Sequence, residues 1–306
     1  MPQAPVRAVH LLQIAACALA MTTALPSRAE DPARLMKMPV AAPAFTLAFG
    51  NSPLQQGELR VPEGKGPFPV AILVHGGCFL SGAPPRLMAP LATQLAEHGI
   101  ASWNLDYRAL GDAGGGWPGT FQDWGAGTDA LRQAAAKAPL DLSRVVVVGH
   151  SAGATAAAWI ANRHHIPKDS PLAADKPLEV QGAVLVDGPP DLRPYLGRDV
   201  QICDEPVLER LLGGSPSAQP SHWHAGNPAE LLPLGLPQVV ISDAVLDAPL
   251  AHAYEKAARS AGDRVTVIDF DDHDHFAMLM PDTPTGKKLE QAIVDLVGSL
   301  KPKAAP

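Results

Sequence analysis

Short apolar runs rich in Val and Ile recur along the chain, each closed by Gly or Asp and followed by a stretch with helical spacing. They read "PVAILVHGG", "IASWNLDYR", "RVVVVGHS", "GAVLVDGPP", "QVVISDA" and "RVTVIDFDD". Between them the spacing predicts helices over 86–98, 121–137, 152–162, 250–261 and 287–300. Strands alternating with helices imply a mostly parallel sheet covered on both faces. A central parallel strand is buried on both sides, which accounts for runs that are apolar almost without interruption. Upstream, "FTLAFG" and "GELRVPEG" alternate apolar and polar residues, the pattern of an antiparallel hairpin at one edge.

Residues 188 to 236 break this rhythm with prolines and turn residues ("GPPDLRPYLGRDVQICDEPVLERLLGGSPSAQPSHWHAGNPAELLPLGL"). Ligands of open parallel sheets bind at the carboxyl ends of the strands. An insertion there is placed to cap or wall a pocket, so 188–236 is read as a cap insertion within one domain, 30–306.

The chain has 306 residues, 46% hydrophobic and 18% charged, enough to bury a substantial core. Residues 1–29 stand apart: Arg7 and His10, an apolar run from Leu11 to Leu25, then Ser27-Arg28-Ala29. That is the layout of a secretory signal peptide with a small-x-small cleavage site. The run is shorter than the roughly 20 residues a membrane-spanning helix needs, so export is expected, to the periplasm or outside the cell, without stable membrane insertion. Ile14-Ala15-Ala16-Cys17 resembles a lipoprotein box, but the apolar run continues well past it.

The net charge is −7, and loss of Arg7 and Arg28 with the leader makes it more negative. Nucleic acid and anionic lipid are therefore not expected partners. Cys78 and Cys203 remain; an oxidising compartment permits them to pair, but sequence does not supply their separation, and two free buried thiols are the preferred reading over a disulfide.

The chemistry begins at "GHSAG", Gly149 to Gly153, between four valines and an Ala-rich helix. A sharp strand-to-helix turn there exposes the Ser151 hydroxyl, and the glycines remove side chains that would collide across it. A serine hydroxyl needs a base to take its proton and a carboxylate to orient that base. "DFDDHDHFAMLMP" offers His273 and His275, and His275 is preferred because the following Phe could anchor the loop. A metal held by Asp272, His273, Asp274 and His275 is disfavoured, since neighbours in sequence point in different directions. For the acid, Asp247 is preferred on triad order and loop position, ahead of Asp243 and then Asp187. The oxyanion needs amide donors: that of Ala152, and those of Gly77 and Cys78 in the turn "HGGC", where Gly76 and Gly77 let backbone approach substrate. His75 is read as a structural residue of that turn, and "HWH" (222–224) and "HH" (164–165) as surface residues. Trp117, in a glycine-rich loop, is a possible pocket wall with Phe79.

With turn, elbow, acid loop and "HF" in this order, the chain resembles the α/β-hydrolase superfamily over nearly all its length beyond the leader. "HGGCF", "YRALGDAGGGWPGTFQD", "GHSAGA" and "HFAMLMPDTP" resemble the esterase branch related to hormone-sensitive lipase and kynurenine formamidase. That resemblance implies an eight-stranded, mostly parallel sheet with helices on both faces. It also implies hydrolysis through an acyl-serine intermediate, with nucleophile Ser151, base His275, an oxyanion turn at Gly76 to Cys78, and no cofactor. The family's acid loop usually begins His-Gly before the Asp; here "SDAVLD" replaces it, and Asp247 fits only with a gap.

The function expected is therefore an exported serine carboxylesterase acting on a small ester or amide. Within the same chemistry stands an arylformamidase. A prolyl-oligopeptidase-type peptidase lacks room for its propeller domain, and a non-catalytic binding protein on this scaffold has only the altered acid loop in its favour.

Overall fold

The computed structural model describes residues 1–2 and 32–301, so nearly all of the expected signal peptide lies outside the described residues. Eight strands form one sheet in the order β1-β2-β4-β3-β5-β6-β7-β8. β1 (Phe45–Ala48) and β2 (Gln56–Arg60) make the expected antiparallel hairpin, and β2 also runs antiparallel to β4 (Ala101–Leu105). From there all pairings are parallel, through β3 (Phe68–Val74), β5 (Leu140–His150), β6 (Gly182–Val186), β7 (Pro237–Ser242) and β8 (Arg264–Asp269). This is the α/β-hydrolase fold.

The helices are α1 (Pro32–Lys37), α2 (Ala89–Glu97), α3 (Gly119–Asp129), α4 (Leu131–Ala135) and α5 (Ala152–Ala161). Then follow α6 (Asp199–Cys203), α7 (Leu208–Leu211), α8 (Pro220–Gly226), α9 (Ala248–Ser260) and α10 (Pro284–Ser299). Because strand side chains alternate between faces, the unbroken valines of β5 supply two cores at once. Val145 and Val147 pack with Ile72, Trp103 and the helix residues Trp124 and Trp159. Val146 and Val148 pack on the other face with Leu73, Leu91 and Leu95 of α2, and Leu289 and Ile293 of α10.

Helix boundaries depart from the periodic reading where side chains intervene. The helix expected over 121–137 divides into α3 and α4, and the indole of Trp103 donates to the carbonyl of Gly127 at 2.8 Å, taking an acceptor from the helical ladder. α10 begins at Pro284 rather than Lys287, because the Thr283 hydroxyl caps it by accepting from the Gly286 amide at 2.9 Å and proline suits the first turn. Among the described residues no helix is long and apolar enough to cross a membrane.

Candidate active site

The carboxyl ends of β3, β5 and β6 converge with the loop after β8. Ser151 follows the last residue of β5 with φ 57° and ψ −124°, a strained conformation for a residue bearing a side chain. A Cβ on Gly149 would lie 1.7 Å from the carbonyl oxygen of Gly153, and one on Gly153 would lie 2.1 Å from that of Val74. Both glycines of the motif are therefore demanded by the turn itself. The Ser151 amide donates to the carbonyl of Val186 at 2.8 Å, locking the elbow to the end of β6.

The turn after β3 lies directly against this elbow. A Cβ on Gly76 would come within 2.6 Å of Ser151 Cβ, so only glycine fits. Gly77 has φ 119° and Cys78 and Phe79 have φ 55° and 59°, which curls the backbone tightly. The Tyr107 hydroxyl donates to the carbonyl of His75 at 2.9 Å, and the two rings stack at 4.4 Å. Burial, and then the charge of Asp106, push the Tyr107 hydroxyl well above its ordinary range, so it remains a donor. His75 thus serves the turn's structure. The Gly77 and Cys78 amides carry no backbone hydrogen bond among the described residues, and Ala152, at the first position of α5, has none within the helix.

His275 is oriented by Asp187, not by Asp247. Its Nδ1 donates to Asp187 Oδ2 at 2.6 Å, which leaves Nε2 as the ring's acceptor. Asp187 follows the end of β6, has φ 43°, and its side chain is wholly buried. Its carboxylate also accepts from the amides of Ala244, Val245 and Leu246 at 3.2, 2.9 and 2.8 Å. Burial pushes this carboxyl up, but the hydrogen bond and charge of His275 and the Leu246 amide outweigh it and hold it below its ordinary range.

Asp247, the carboxylate preferred from the sequence, is instead the N-cap of α9. It accepts from the Leu250 amide at 2.9 Å and faces Arg198 at 3.3 Å near the surface. Asp243 fastens the base loop, accepting from the amides of His273 and Asp274 at 3.0 and 3.2 Å. The "SDAVLD" segment therefore supplies amides to the carboxylate that holds His275. The signal for Asp187 was present in "VLVDG": a carboxylate at the end of the strand that pairs with the strand leading into Ser151. His150 pairs with Val186 in the β5–β6 register, so Ser151 and Asp187 occupy equivalent positions on adjacent strands.

His150 was overlooked by sequence reasoning. It is fully buried, its Nε2 donates to the carbonyl of His275 at 2.7 Å, and the two imidazoles lie 4.4 Å apart. Burial, and then the charge of His275, depress it to about 3, so it is neutral at ordinary pH. Its Nδ1 is buried without a hydrogen-bond partner among the described residues.

A small cleft opens over Ser151, walled by Phe79 and Val245 and by Tyr195, Ile202, Val207 and Leu208 of the 188–236 segment. Trp117 does not line it: its ring stacks on His222 at 4.2 Å and meets Phe121 edge-on. Cys78 and Cys203 are joined in a disulfide, with Cα atoms 5.7 Å apart. Among the described residues no group of three or more His, Cys, Asp or Glu side chains could hold a metal ion. The candidates between 272 and 275 diverge, His275 to Asp187 and the Asp274 carboxylate to the amides of Phe276 and Ala277.

The BD-FAE family model matches residues 59–254, more than half of the chain. No curated protein matches significantly. Among solved structures, esterase B from Lactobacillus rhamnosis superposes with a TM-score of 0.71 at 19% identity, over 88% of this chain and 90% of that one. A truncated carbohydrate esterase from gut microbiota gives 0.68 at 17% identity, over 84% and 98%. The propionate-bound thermophilic esterase of Thermogutta terrifontis gives 0.63 at 18%, over 82% and 91%.

Proposed function

The chain belongs to the BD-FAE family and has the α/β-hydrolase fold, and on that premise we propose that it is a serine hydrolase cleaving carboxylic esters through an acyl-Ser151 intermediate. The observation that carries this reading is the 2.6 Å bond between His275 Nδ1 and the buried Asp187 carboxylate, beside a strained serine elbow. With Nδ1 committed to Asp187, Nε2 takes the proton of the Ser151 hydroxyl as its Oγ attacks the ester carbonyl. The amides of Ala152 and of Gly77 or Cys78 stabilise the oxyanion. Collapse expels the alcohol with the proton from Nε2; water, deprotonated by the same nitrogen, then releases the acid and frees Ser151. Asp187 stays ionised and stabilises the imidazolium formed in each half-reaction.

With Asp187 as the orienting acid, the altered "SDAVLD" loop no longer favours a non-catalytic binding protein. Solved structures sharing the fold are esterases by name, and their likeness supports the same reaction class. Export is the companion proposal, supported by the leader-like sequence of residues 1–29 and by the disulfide, which persists in oxidising compartments.

The test is hydrolysis of p-nitrophenyl acetate by the purified protein beside Ser151→Ala, with N-formylkynurenine as a second substrate. Ester turnover that Ser151→Ala abolishes is the expected result. Formamide turnover at the higher kcat/KM would move the assignment to an arylformamidase, and no turnover of either by folded protein would overturn the catalytic reading.

A further inference from the structure

The Cys78–Cys203 disulfide crosses 125 residues of chain to join the turn beside Ser151 with the last residue of α6. α6 has little else to hold it. It is five residues long, too short to be stable alone, and its single buried residue is Asp199 rather than an apolar side chain. Val200 and Ile202 are 43% and 38% exposed. The neighbouring α7 differs, with Leu208 and Leu211, and Val207 just before them, packed into the core. Asp199 clasps the two together, accepting from the Val207 and Leu208 amides at 2.8 and 3.0 Å. The wall contributed by α6, Ile202 and Cys203, is therefore kept at Ser151 by one carboxylate clasp and one covalent bond, besides the exposed Arg198–Asp247 pair where the helix begins.

The cleft that this wall borders is small, apolar and half-open to solvent. Its volume is about 30 Å³, room for roughly two water-sized groups. Asp199 and Tyr195 are the ionisable side chains among the lining residues; the Asp199 carboxylate is already spent on backbone amides, and the Tyr195 hydroxyl donates to the Val245 carbonyl at 3.1 Å. A charged substituent would find no partner there, and a long acyl chain would gain apolar contact only for its first carbons before running out of the cleft into water.

We propose that the Cys78–Cys203 disulfide is a specificity device: it clamps α6 against the turn beside Ser151, restricting the pocket to neutral acyl groups with about two carbons beyond the carbonyl. This rests on the reading of Ser151 as the nucleophile. Opening the disulfide leaves α7 in place and lets α6 retract, so longer acyl chains gain access while the hydrolytic groups remain.

The experiment measures kcat/KM for p-nitrophenyl acetate, butyrate and octanoate with the full chain. It compares wild type, wild type reduced with dithiothreitol and checked for two more free thiols than the unreduced protein, Cys203→Ser, and Leu208→Ala, which enlarges the pocket with the disulfide intact. Wild type is expected to favour acetate over octanoate by about 100-fold, and loss of the disulfide to shrink that ratio by about tenfold, mainly through the KM for octanoate. If Cys203→Ser does not fold, the reduced wild type decides. An unchanged ratio after reduction, even where Leu208→Ala broadens the profile, overturns the clamp. A wild-type preference for octanoate overturns the pocket assignment. Turnover of no ester by folded wild type instead overturns the serine-esterase reading on which both depend.

Discussion

The Asp187 carboxylate lies 2.6 Å from Nδ1 of His275 across 88 residues of chain. This pairing makes the two aspartates at the ends of the "DGPP…SDAVLD" interval separable by mutation. Asp187→Asn preserves shape but loses the charge and the acceptor that fix the imidazole tautomer. kcat for ester hydrolysis should fall by about 10⁴-fold with the protein still folded. Asp247→Ala should leave kcat/KM within about twofold and cost about 1 kcal/mol through the lost helix cap. Its exposed Arg198 pair adds little to that. Steady-state kinetics of both variants, with thermal melts as the control for folding, check the assignment. The reverse ranking would restore Asp247.

Gly76→Ala probes the contact between the turn and the elbow. The added methyl would sit 2.6 Å from Ser151 Cβ and 2.8 Å from the His150 carbonyl oxygen, against backbone that cannot yield cheaply. Displacement of either element by about 1 Å should lower kcat about 100-fold, with about 1–3 kcal/mol of destabilisation from overpacking. A variant with wild-type kcat would show that the turn is not held against the nucleophile.

Which parts of this were legible beforehand follows from the range of the interactions. The elbow glycines and the strand valines answer to neighbours within a few residues or to strand pleating, and both are written as local pattern. The sheet with its edge hairpin could be read from the same pattern. Asp187 stood only third among the candidate acids, because its rank over the others depends on the parallel register that sets Val186 beside His150 and on the approach of His275 from a distant loop. Asp247 carried the sequence features of an acid loop, yet a Pro one position into a helix after an Asp is equally the signature of an N-cap, and capping is what the side chain does. Trp117 was misplaced for a related reason: its partner His222 lies about a hundred residues on, in a segment whose path no periodicity describes.

His150 should prove to be a positioning residue for the base. His150→Phe keeps a ring against His275 but leaves the His275 carbonyl without its donor, a loss of about 1–3 kcal/mol in a buried setting. kcat should fall about ten- to a hundredfold with KM little changed, since the base shifts while the cleft does not. His150→Gln, whose amide can donate to the same carbonyl, should recover part of kcat. If His150→Phe lowers the melting temperature and leaves kcat intact, the residue serves packing alone.

Asp243 gives the base loop a pH dependence of defined sign. Burial, then the hydrogen bond from Asp272 and the charges of Asp187 and Asp272, raise its carboxyl to about 6, with the His273 amide pulling the other way. The His273 imidazole also faces it, at 3.7 Å. In the unfolded chain the group titrates near 3.9. Between about pH 4 and 6 the folded protein therefore holds more protons at this position than the unfolded chain, so its contribution to stability declines as pH rises through that window. Asp187 works in the opposite sense, its depressed value favouring the folded state as pH rises through the carboxylate range. Comparison with Asp243→Asn isolates the first effect, because the amide mimics the protonated carboxyl at every pH. The melting temperature of Asp243→Asn minus that of wild type should grow from pH 4 to 6 and then level off. A constant difference across that range would mean that Asp243 titrates alike in both states and that the base loop is insensitive to its charge.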